Sequence, residues 1–392
     1  MPRRIRMSDK QSVPSRKQKR RKRRKILLIV EIIVLLLLLG LLFVWLKLGM
    51  INFKNLGDIK QNKLSRKTTE VLSGYTNFAL FGVDNRSNGN YNGGQSDVIV
   101  IVSINNDTKK IRLASVYRDS FLNVSEDGTL LRKCNYAYAH GGESAALSML
   151  NRNLDLNLQD FVAVDFAAVT DAIDAVGGVE MDVTEAEVKS LNDPDHPVLR
   201  EMATQLGKEY TPVTKAGKQN LNGLQATAYC RIRHDAGEDW GRARRQRAVI
   251  EALLGKVKGA SLGQMSSLVD AILPKVSTSY DATKLISMAM AAKEYAIDQS
   301  FGFPFRKTTE ELPKPYGSVV IPCTLSSNVT MLHEKMFDEK NYSPSNTVAS
   351  LSQLIVNQTG CDESSAGDYS QIENNKGVET SSSTESTTQT GN

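Results

Sequence analysis

Two short apolar runs decide the fold expected of this chain, Asn77-Phe-Ala-Leu-Phe-Gly-Val83 and Val98-Ile-Val-Ile-Val-Ser-Ile104. Each has the length of a β-strand, and the second consists mainly of valine and isoleucine, which favour strands. Further runs of strand length follow at Ile111–Val116, Phe161–Val164, Val179–Val183 and 319–321. The chain is therefore expected to contain a sheet of several strands.

Helical patterns separate these runs. Helices are predicted at 143–154, 166–176, 222–231, 239–258, 262–273, 281–298 and 347–358. Residues 184–215 contain three X-Pro pairs, which predict a long irregular excursion. Because strands and helices alternate without a linker between them, we expect one α/β domain over 74–360.

Positive charge is concentrated just before the longest apolar stretch. Thirteen of the first 25 residues are Lys or Arg and one, Asp9, is acidic, so the net charge of +6 leaves the rest of the chain acidic. This balance argues against a protein that binds nucleic acid throughout. Ile26–Leu46 follows the basic cluster and is long enough to span a hydrocarbon core of roughly 30 Å. The basic cluster predicts a cytoplasmic N-terminus, with residues after Lys47 outside the membrane.

These features divide the chain into five predicted segments. No small-residue cleavage site follows the apolar stretch, which is therefore interpreted as a retained anchor rather than a secretory signal. Residues 377–392 include nine Ser or Thr, which is typical of a disordered tail. The segments are a basic cytoplasmic tail (1–25), a transmembrane anchor (26–48), a tether (49–73), an extracytoplasmic domain (74–360) and a Ser/Thr-rich tail (361–392).

Four cysteines, Cys134, Cys230, Cys323 and Cys361, lie beyond the predicted anchor. An even number in an oxidising compartment permits two disulfides, and four buried thiols are the alternative. Metal binding by them is the weaker interpretation, because no two are close in sequence. The sequence has no Gly-x-Ser-x-Gly, Ser-x-x-Lys, His-Glu-x-x-His or Walker motif. Protease, β-lactam-binding and nucleotide-hydrolysing functions therefore lose support.

Two carboxylates flank the loop between the first two strands. Asp84 ends the first run and Asp97 precedes the second, so both are expected at the same end of the sheet. Proteins usually hold Mg²⁺ with one or two carboxylates plus phosphate and water oxygens, and this pair suits that role. The alternative is that both are turn or capping residues.

Arginines are concentrated in two places. Arg118 follows the third strand, where α/β folds bind ligands. Arg231 and Arg233 lie two residues apart, and Arg242 and Gln246 share one helix face. Guanidinium groups bind phosphates bidentately and keep their charge, so the pattern suggests a pyrophosphate or a similar polyanion. The alternatives are a surface ion pair for Arg118 and a solvated basic face for the others.

In these motifs the chain resembles the LytR–CpsA–Psr family of Gram-positive cell envelopes, over about residues 75–360. The resemblance is carried by Gly82–Arg86 with Ser96-Asp97, by Arg118-Asp119, Lys133–Gly142 and Asp174–Val179, and by Leu221–Arg233 and Asp239–Gln246. It implies one extracytoplasmic domain of three α-β-α layers with a mixed central sheet, after one membrane helix. It also implies a phosphotransferase that moves an anionic glycopolymer, teichoic acid or capsular polysaccharide, from a polyprenyl-pyrophosphate carrier to peptidoglycan.

The resemblance assigns roles to individual residues. Asp84 and Asp97 are the implied Mg²⁺ ligands. Pyrophosphate binding is implied for Arg86, Arg118, Lys133, Arg231, Arg233, Arg242 and Gln246. The expected catalytic residues are Asp84, Arg118 and Asp239, and either aspartate is a candidate for the base that accepts the proton of the attacking hydroxyl.

Some positions depart from the family pattern. Gln95 stands where the family usually has Arg, and Tyr117 where it usually has Pro. Cys134 and Cys230 replace common apolar residues inside motifs. The hypothetical disulfides are Cys134 with Cys230 and Cys323 with Cys361.

Three other functions remain open at this point. A pyrophosphatase acting on polyprenyl pyrophosphates would use the same residues with water as the acceptor. A membrane-tethered transcriptional regulator would depend on the basic tail, and a glycan-binding anchor would have no activity. The expected partners are the lipid-linked glycopolymer, peptidoglycan and the cell membrane, with no nucleic acid. The lipid chain would need an apolar groove, expected between the sheet and the helices around 143–176.

Overall fold

The runs at 77–83 and 98–104 form neighbouring strands, as predicted. A computed structural model describes residues 49, 52–84, 94–233 and 238–369. Within these residues the strands are β1 (Asn52–Phe53), β2 (Tyr75–Asp84), β3 (Gln95–Asn105), β4 (Lys110–Val116), β5 (Phe121–Asn123), β6 (Leu131–Lys133), β7 (Asp160–Asp165), β8 (Val179–Val183), β9 (Gly217–Leu221), β10 (Val276–Thr278), β11 (Ala296–Phe303), β12 (Lys307–Leu312) and β13 (Gly317–Pro322).

The α-helices of the same residues are α1 (Arg66–Ser73), α2 (Asn135–Leu154), α3 (Phe166–Ala175), α4 (Glu185–Leu191), α5 (Val198–Leu206), α6 (Gly223–Tyr229), α7 (Glu238–Gly259), α8 (Leu262–Ile272), α9 (Ala282–Ala291), α10 (Leu325–Phe337) and α11 (Asn346–Thr359). Several of these helices begin at a residue whose side chain accepts a hydrogen bond from a backbone N–H that has no partner inside the helix. Asp165 accepts from Ala168 at the start of α3, and Thr184 and Glu187 form a reciprocal capping box at α4.

Seven of the described strands form one mixed sheet in the order β1-β10-β7-β2-β3-β4-β11. β7 is parallel to β2, β3 lies antiparallel between β2 and β4, and β11 is parallel to β4. The carboxyl ends of β2, β4, β7 and β11 therefore meet the start of β3 at one edge of the sheet. Asp84 ends β2 and Asp97 lies near the start of β3, so both are at this edge, and Arg118 follows the end of β4 by two residues.

Helices cover both faces of the sheet. Ala79 and Phe81 pack with side chains of α2, α10 and α11 in one core cluster. Phe78 packs on the opposite face with Val100, and side chains of α7 and α9 cover them. Alternate residues of β2 therefore enter different cores, as the pleat of a strand requires. This is the mixed α/β fold with a mixed central sheet that the family resemblance implies.

The interface between α2 and the sheet, near which a lipid groove is expected, is part of the apolar core. Leu147, Leu150 and Phe161 are fully buried in that core. The groove for a lipid chain between the sheet and the helices around 143–176 stays a prediction.

The predicted tether is part of the folded domain from residue 52 onward. β1 pairs with β10, and Ile59 and Leu72 are buried in the core. The Lys54 Nζ donates to Glu143 Oε1 at 2.7 Å, and Asn62 Nδ2 donates to Asp155 Oδ1 at 2.6 Å. Sequence patterning missed this packing because the few apolar residues of the segment follow neither helical nor strand spacing.

Three other boundaries also change. The helix predicted at 281–298 ends at Ala291, and residues from Ala296 form edge strand β11 instead. The excursion at 184–215 contains the helices α4 and α5. The tail was predicted from 361, but residues 361–369 belong to the folded domain, because Cys361 is buried and the Tyr369 ring contacts Trp240.

The predicted membrane anchor lies outside the described residues, as does the basic tail before it. Over the residues that the structure does describe, none of the helices combines the length and the hydropathy that crossing a membrane requires.

Candidate functional site

A β-bulge lies at Asp97, at the edge of the sheet where the carboxyl ends of β2, β4, β7 and β11 meet the start of β3. Gly82 pairs with Val98 and Val83 with Ser96, so Asp97 is the extra residue on β3. Bulges of this kind redirect a side chain and are common beside active sites. Asp84 is the last residue of β2, opposite Gln95, so the backbone brings the two predicted metal ligands to the same place. The side chain of Asp84 is not among the described atoms.

Arg118 is the centre of a charged network at this edge. Its Nη1 donates to Asp97 Oδ1 at 2.7 Å, and its Nε donates to Asp119 Oδ2 at 3.3 Å. Lys133 Nζ lies 3.1 Å from Asp119 Oδ1, and Arg233 Nη2 lies 3.6 Å from Asp97 Oδ2. Three cations thus share two carboxylates. We call Asp97, Arg118, Asp119, Lys133 and Arg233 the charged network.

The network can exchange its internal ion pairs for a bound anion. The side chains of Arg118 and Asp97 are 20% and 14% exposed, whereas that of Arg233 is 50% exposed. Pairs that reach solvent are worth little in free energy, so replacing a carboxylate by a phosphate costs little. The structure thus places three of the predicted pyrophosphate-binding residues, Arg118, Lys133 and Arg233, in one network.

Arg231 contacts a different surface. Its guanidinium lies 4.9 Å from the Phe166 ring centroid, and Nη1 is 2.6 Å from Met202 Sδ. The intervening Ile232 is fully buried. Although the two arginines are two residues apart, the structure brings Arg233, and not Arg231, into contact with the charged network.

Helix α7 holds the segment with these arginines in place. Arg245 is fully buried, and its Nη2 donates to the Ile232 carbonyl at 2.8 Å. Gln246 Nε2 donates to the Cys230 carbonyl at 3.4 Å. Arg245 Nη1 lies 3.5 Å from Oε1 of Glu187 in α4, and Glu187 is also buried. Gln246 thus makes a structural contact, while its binding role stays a prediction, and Arg242 is likewise buried.

An aromatic cluster supports the loops on either side of the site. The rings of Tyr117 and Trp240 meet edge to face, with centroids 4.4 Å apart. The buried Lys307 Nζ lies 4.7 Å from the Trp240 centroid and 5.3 Å from those of Tyr117 and Tyr369. Contact of a cation with ring faces is favourable, more so away from water. Tyr117 precedes Arg118 directly, so this cluster fixes the position from which that arginine extends.

Gly302 of β11 gives Tyr117 the space for this position. A Cβ at residue 302 would lie 1.8 Å from the Tyr117 hydroxyl oxygen, far inside contact distance. Gly302→Ala must therefore displace the tyrosine, and we expect it to lower the free energy of unfolding by about 1–3 kcal/mol. Gly255→Ala is the matched control: it lies in α7 with nothing within 4 Å of the added Cβ. It should stabilise by about 0.5–1 kcal/mol. Denaturant unfolding measures both, and equal stability of Gly302→Ala and wild type would contradict the packing.

All four cysteines are free and buried, so neither hypothetical disulfide is present. The Cys134 thiol instead donates to the backbone carbonyls of Tyr117 and Arg118, at 3.2 and 3.3 Å. Burial raises the pKa of the Cys230 thiol to about 12 and that of Cys323 to about 11. The interpretation as four buried thiols is the one the structure supports.

We therefore expect slow alkylation of the native protein by iodoacetamide, because the reactive thiolate is rare in every buried cysteine. In denaturant without reductant, mass spectrometry should count four adducts, one for each free cysteine. An adduct count that rises only after reductant is added would show that a disulfide forms.

Part of the predicted site lies outside the described atoms. Residue Arg86 lies outside the described part of the chain, and the side chain of Asp239 is not described. Sequence reasoning also missed several supporting residues. Asp119 was expected only as an ion-pair partner of Arg118, Arg245 stood inside a quoted motif without a role, and Glu187 carried only a capping signal. Lys307 had no local signal, because its aromatic neighbours come from distant parts of the chain.

A metal ion at this edge would depend on its substrate for ligands. Among the described side chains, no group of three or more His, Cys, Asp or Glu could hold a metal. Asp97 is the described carboxylate at the bulge, with Asp84 at the neighbouring strand end. One or two carboxylates fit Mg²⁺ when phosphate oxygens and water complete its six ligands.

The chain is similar to known proteins in sequence and in fold. Residues 47–301 match the model of the LytR_cpsA_psr family. The polyisoprenyl-teichoic acid–peptidoglycan teichoic acid transferase TagU of Enterococcus faecalis is 30% identical over 213 residues, 53% of this chain and 63% of the relative. Biofilm regulatory protein A of Streptococcus mutans is 29% identical over 195 residues, 48% of this chain and 45% of the relative. The chain thus spans less than two thirds of each of these two relatives.

A solved structure has the same fold. A protein from Streptococcus agalactiae superimposes with a TM-score of 0.55 at 23% identity, covering 73% of this chain and 95% of that one. At this identity the similarity concerns the fold alone.

Proposed function

The chain belongs to the LytR–CpsA–Psr family, and we propose that it transfers an anionic glycopolymer from a polyprenyl-pyrophosphate carrier to a hydroxyl of peptidoglycan. The polymer class is teichoic acid or a capsular-type polysaccharide. The printed name of the Enterococcus faecalis relative, a teichoic acid transferase that acts on peptidoglycan, supports this class of reaction.

The observation that carries the proposal is the charged network. Arg118, Lys133 and Arg233 surround Asp97 and Asp119 at the edge of the sheet, within 2.7 to 3.6 Å of a carboxylate oxygen. A pyrophosphate brings the same kind of oxygen acceptors with more negative charge. Bidentate guanidinium contacts then fix its orientation as well as its position.

The reaction is a displacement at the phosphorus that carries the glycan. The oxygen of a peptidoglycan hydroxyl attacks this phosphorus, and the bond to the polyprenyl phosphate breaks. Polyprenyl phosphate leaves with the bonding electron pair, and the hydroxyl proton passes to a carboxylate, for which Asp84 and Asp239 are the candidates. The arginines stabilise the charge that develops on the leaving phosphate, which is the main contribution such a site can make.

Mg²⁺ is part of the proposal, with Asp84 and Asp97 as its protein ligands. When bound, it would neutralise phosphate charge. Arg118 would then exchange its contact with Asp97 for the pyrophosphate, which frees the carboxylate. Arg233 would make the same exchange from the other oxygen of Asp97.

We also propose that the folded domain works outside the cell membrane, on a single-pass anchor at 26–48 with its N-terminus in the cytoplasm. The basic residues before the anchor support this orientation. An anchor would keep the domain near a carrier that is itself in the membrane, which raises the effective concentration of the donor.

The test incubates the full chain in detergent micelles with a lipid-linked glycopolymer and a peptidoglycan oligosaccharide. The proposal predicts a covalent glycopolymer–oligosaccharide product and one polyprenyl phosphate released per product. The pyrophosphatase alternative predicts free glycopolymer phosphate at the same rate with or without the oligosaccharide. EDTA with Mg²⁺ add-back tests the metal, and loss of product that Mg²⁺ restores is the expected result.

A regulator is the second candidate, and the name of the Streptococcus mutans relative favours it. It would act through the basic tail, because the rest of the chain is acidic. Deleting residues 2–20 separates the two functions. A regulator would lose control of envelope-gene expression, whereas the transferase would keep both expression and polymer attachment.

A further inference from the structure

A cavity opens beside the charged network. It has a volume of about 130 Å³ and lies between the start of α2 and the turn that joins β12 to β13. Its lining includes Arg132, Tyr136, His140 and Tyr316. We call this the Arg132 cavity. Tyr316 lies beyond residues 47–301, which match the family model, so part of the cavity is built by a segment that the match does not cover.

The cavity adjoins the proposed pyrophosphate site. Lys133 lines it and also reaches Asp119 at 3.1 Å, the carboxylate that Arg118 contacts. Gln95 lines it as well, two residues before Asp97. A ligand with its phosphate at Arg118 could therefore place the adjoining chemical group in this cavity.

Arg132 supplies a positive charge that no described acid neutralises. Its Nη1 donates to the Leu131 carbonyl at 2.8 Å, and its guanidinium lies 4.8 Å from the Tyr316 ring centroid. Over the described part of the chain it forms no ion pair. By contrast, Arg118 and Lys133 each contact Asp119. An arginine that lines a cavity without a carboxylate partner is suited to an anionic ligand.

The size and the lining of the cavity favour a sugar over the lipid chain. A donor for the proposed reaction carries a polyprenyl chain on one side of the pyrophosphate and sugars on the other. Gln95, Asn135 and Arg132 offer hydrogen-bond donors that a hydrocarbon chain would leave unsatisfied. Pockets for drug-sized ligands measure roughly 300–1,000 Å³, so this smaller one suits a single ring rather than a length of polymer.

We propose that the Arg132 cavity binds one saccharide unit that carries a negative charge, next to the pyrophosphate. The inference rests on the proposed function and extends it to a second subsite. The saccharide is either the unit of the donor polymer nearest the carrier or an anionic unit of the peptidoglycan acceptor. Both have the same chemistry, and the experiment distinguishes them.

The first arm measures binding without turnover. The full chain in micelles is saturated with inorganic pyrophosphate, and N-acetylglucosamine 6-phosphate is titrated by ligand-observed NMR, with neutral N-acetylglucosamine for comparison. The sugar phosphate should bind more tightly than the neutral sugar. Arg132→Gln should lower the affinity for the sugar phosphate about tenfold or more, because hydrogen bonds to charged groups are stronger than those between neutral groups. It should leave pyrophosphate affinity unchanged.

Two variants serve as controls. Arg132→Lys keeps the charge and should recover part of the affinity. Arg66→Gln removes one arginine from an exposed helix position, where the side chain is 93% exposed, and should change nothing. The inference is overturned if wild type does not bind the sugar phosphate, if pyrophosphate displaces it, or if Arg132→Gln binds it as wild type does.

The second arm identifies the source of the saccharide. In the transfer reaction, Arg132→Gln should raise KM for one substrate severalfold. A rise in the donor KM assigns the cavity to the donor polymer, and a rise in the acceptor KM assigns it to peptidoglycan. Unchanged values for both overturn the inference. If wild type shows no transfer, the proposed function fails while the binding arm still decides the cavity.

Discussion

Arg118→Ala is expected to reduce the rate of glycopolymer transfer by about 10²–10³-fold while the protein stays folded. Arg118 makes the shortest described contact in the charged network, 2.7 Å to Asp97, and also contacts Asp119. Its planar group can hold two phosphate oxygens at once. Alanine removes both the charge and the geometry, so charge that develops on the leaving phosphate is no longer stabilised.

The fold should survive because the pairs of Arg118 are partly exposed, and partly exposed pairs contribute little to stability. Arg118→Lys keeps the charge without the bidentate geometry and should fall between alanine and wild type. Transfer rates and thermal unfolding of the purified variants measure both parts of the prediction.

Arg112→Ala is a matched control on the same strand. Arg112 lies near the other end of β4 and is also held by two carboxylates, at 3.3 Å from Asp298 and 2.8 Å from Asp338. Arg112→Ala should lower the free energy of unfolding at least as much as Arg118→Ala and leave the transfer rate unchanged. If Arg118→Ala transfers polymer at a wild-type rate, the assignment of the site is wrong.

Arg245→Met is expected to lower the free energy of unfolding by about 3–5 kcal/mol. Arg245 is fully buried between Glu187 and the Ile232 carbonyl. Methionine fills a similar volume but leaves a buried carboxylate with one partner fewer. The thermal midpoint should fall on the order of 5–10 °C.

The double variant Arg245→Met with Glu187→Met separates stability from positioning. Replacing both members of a buried pair by apolar groups is often neutral, so part of the lost stability should return, while the contribution of Glu187 to the capping box of α4 stays lost. Pyrophosphate affinity should be lower than wild type in both the single and the double variant, because the Ile232 carbonyl beside Arg233 lacks its donor in each. An Arg245→Met protein that is as stable as wild type would contradict this account of α7.

Four strands of the seven-stranded sheet, β2, β3, β4 and β7, were predictable because each contains a short apolar run of strand length, whereas the two- and three-residue strands β1 and β10 were not. The edge strand β11 was not, because Ala296–Phe303 contains charged and small residues and pairs along one side with β4. The packed segment 52–73 was missed for a related reason. Its contacts, such as Lys54 with Glu143, join residues far apart in the chain and leave no local pattern.

The candidate site was predictable where one short motif carries the chemistry. Arg118, Lys133 and Arg233 meet around Asp97 and Asp119, as the resemblance implied. The bulge at Asp97 was not predictable, because it depends on the register between β2 and β3. The Lys307 cluster was also beyond prediction, since rings from three separate segments surround it. The separation of Arg231 from Arg233 shows the limit of assuming that alternate residues in a short segment have the same partners.

The most direct test is an experimental structure of the full chain with a short-chain polyprenyl pyrophosphate bound. The account predicts pyrophosphate oxygens within hydrogen-bond distance of the Arg118 and Arg233 guanidinium groups, with the Arg118–Asp97 contact opened. It would be contradicted by a pyrophosphate bound elsewhere, for example in the cavity of about 850 Å³ beside Lys60 and Lys63, with Arg118 still paired to Asp97.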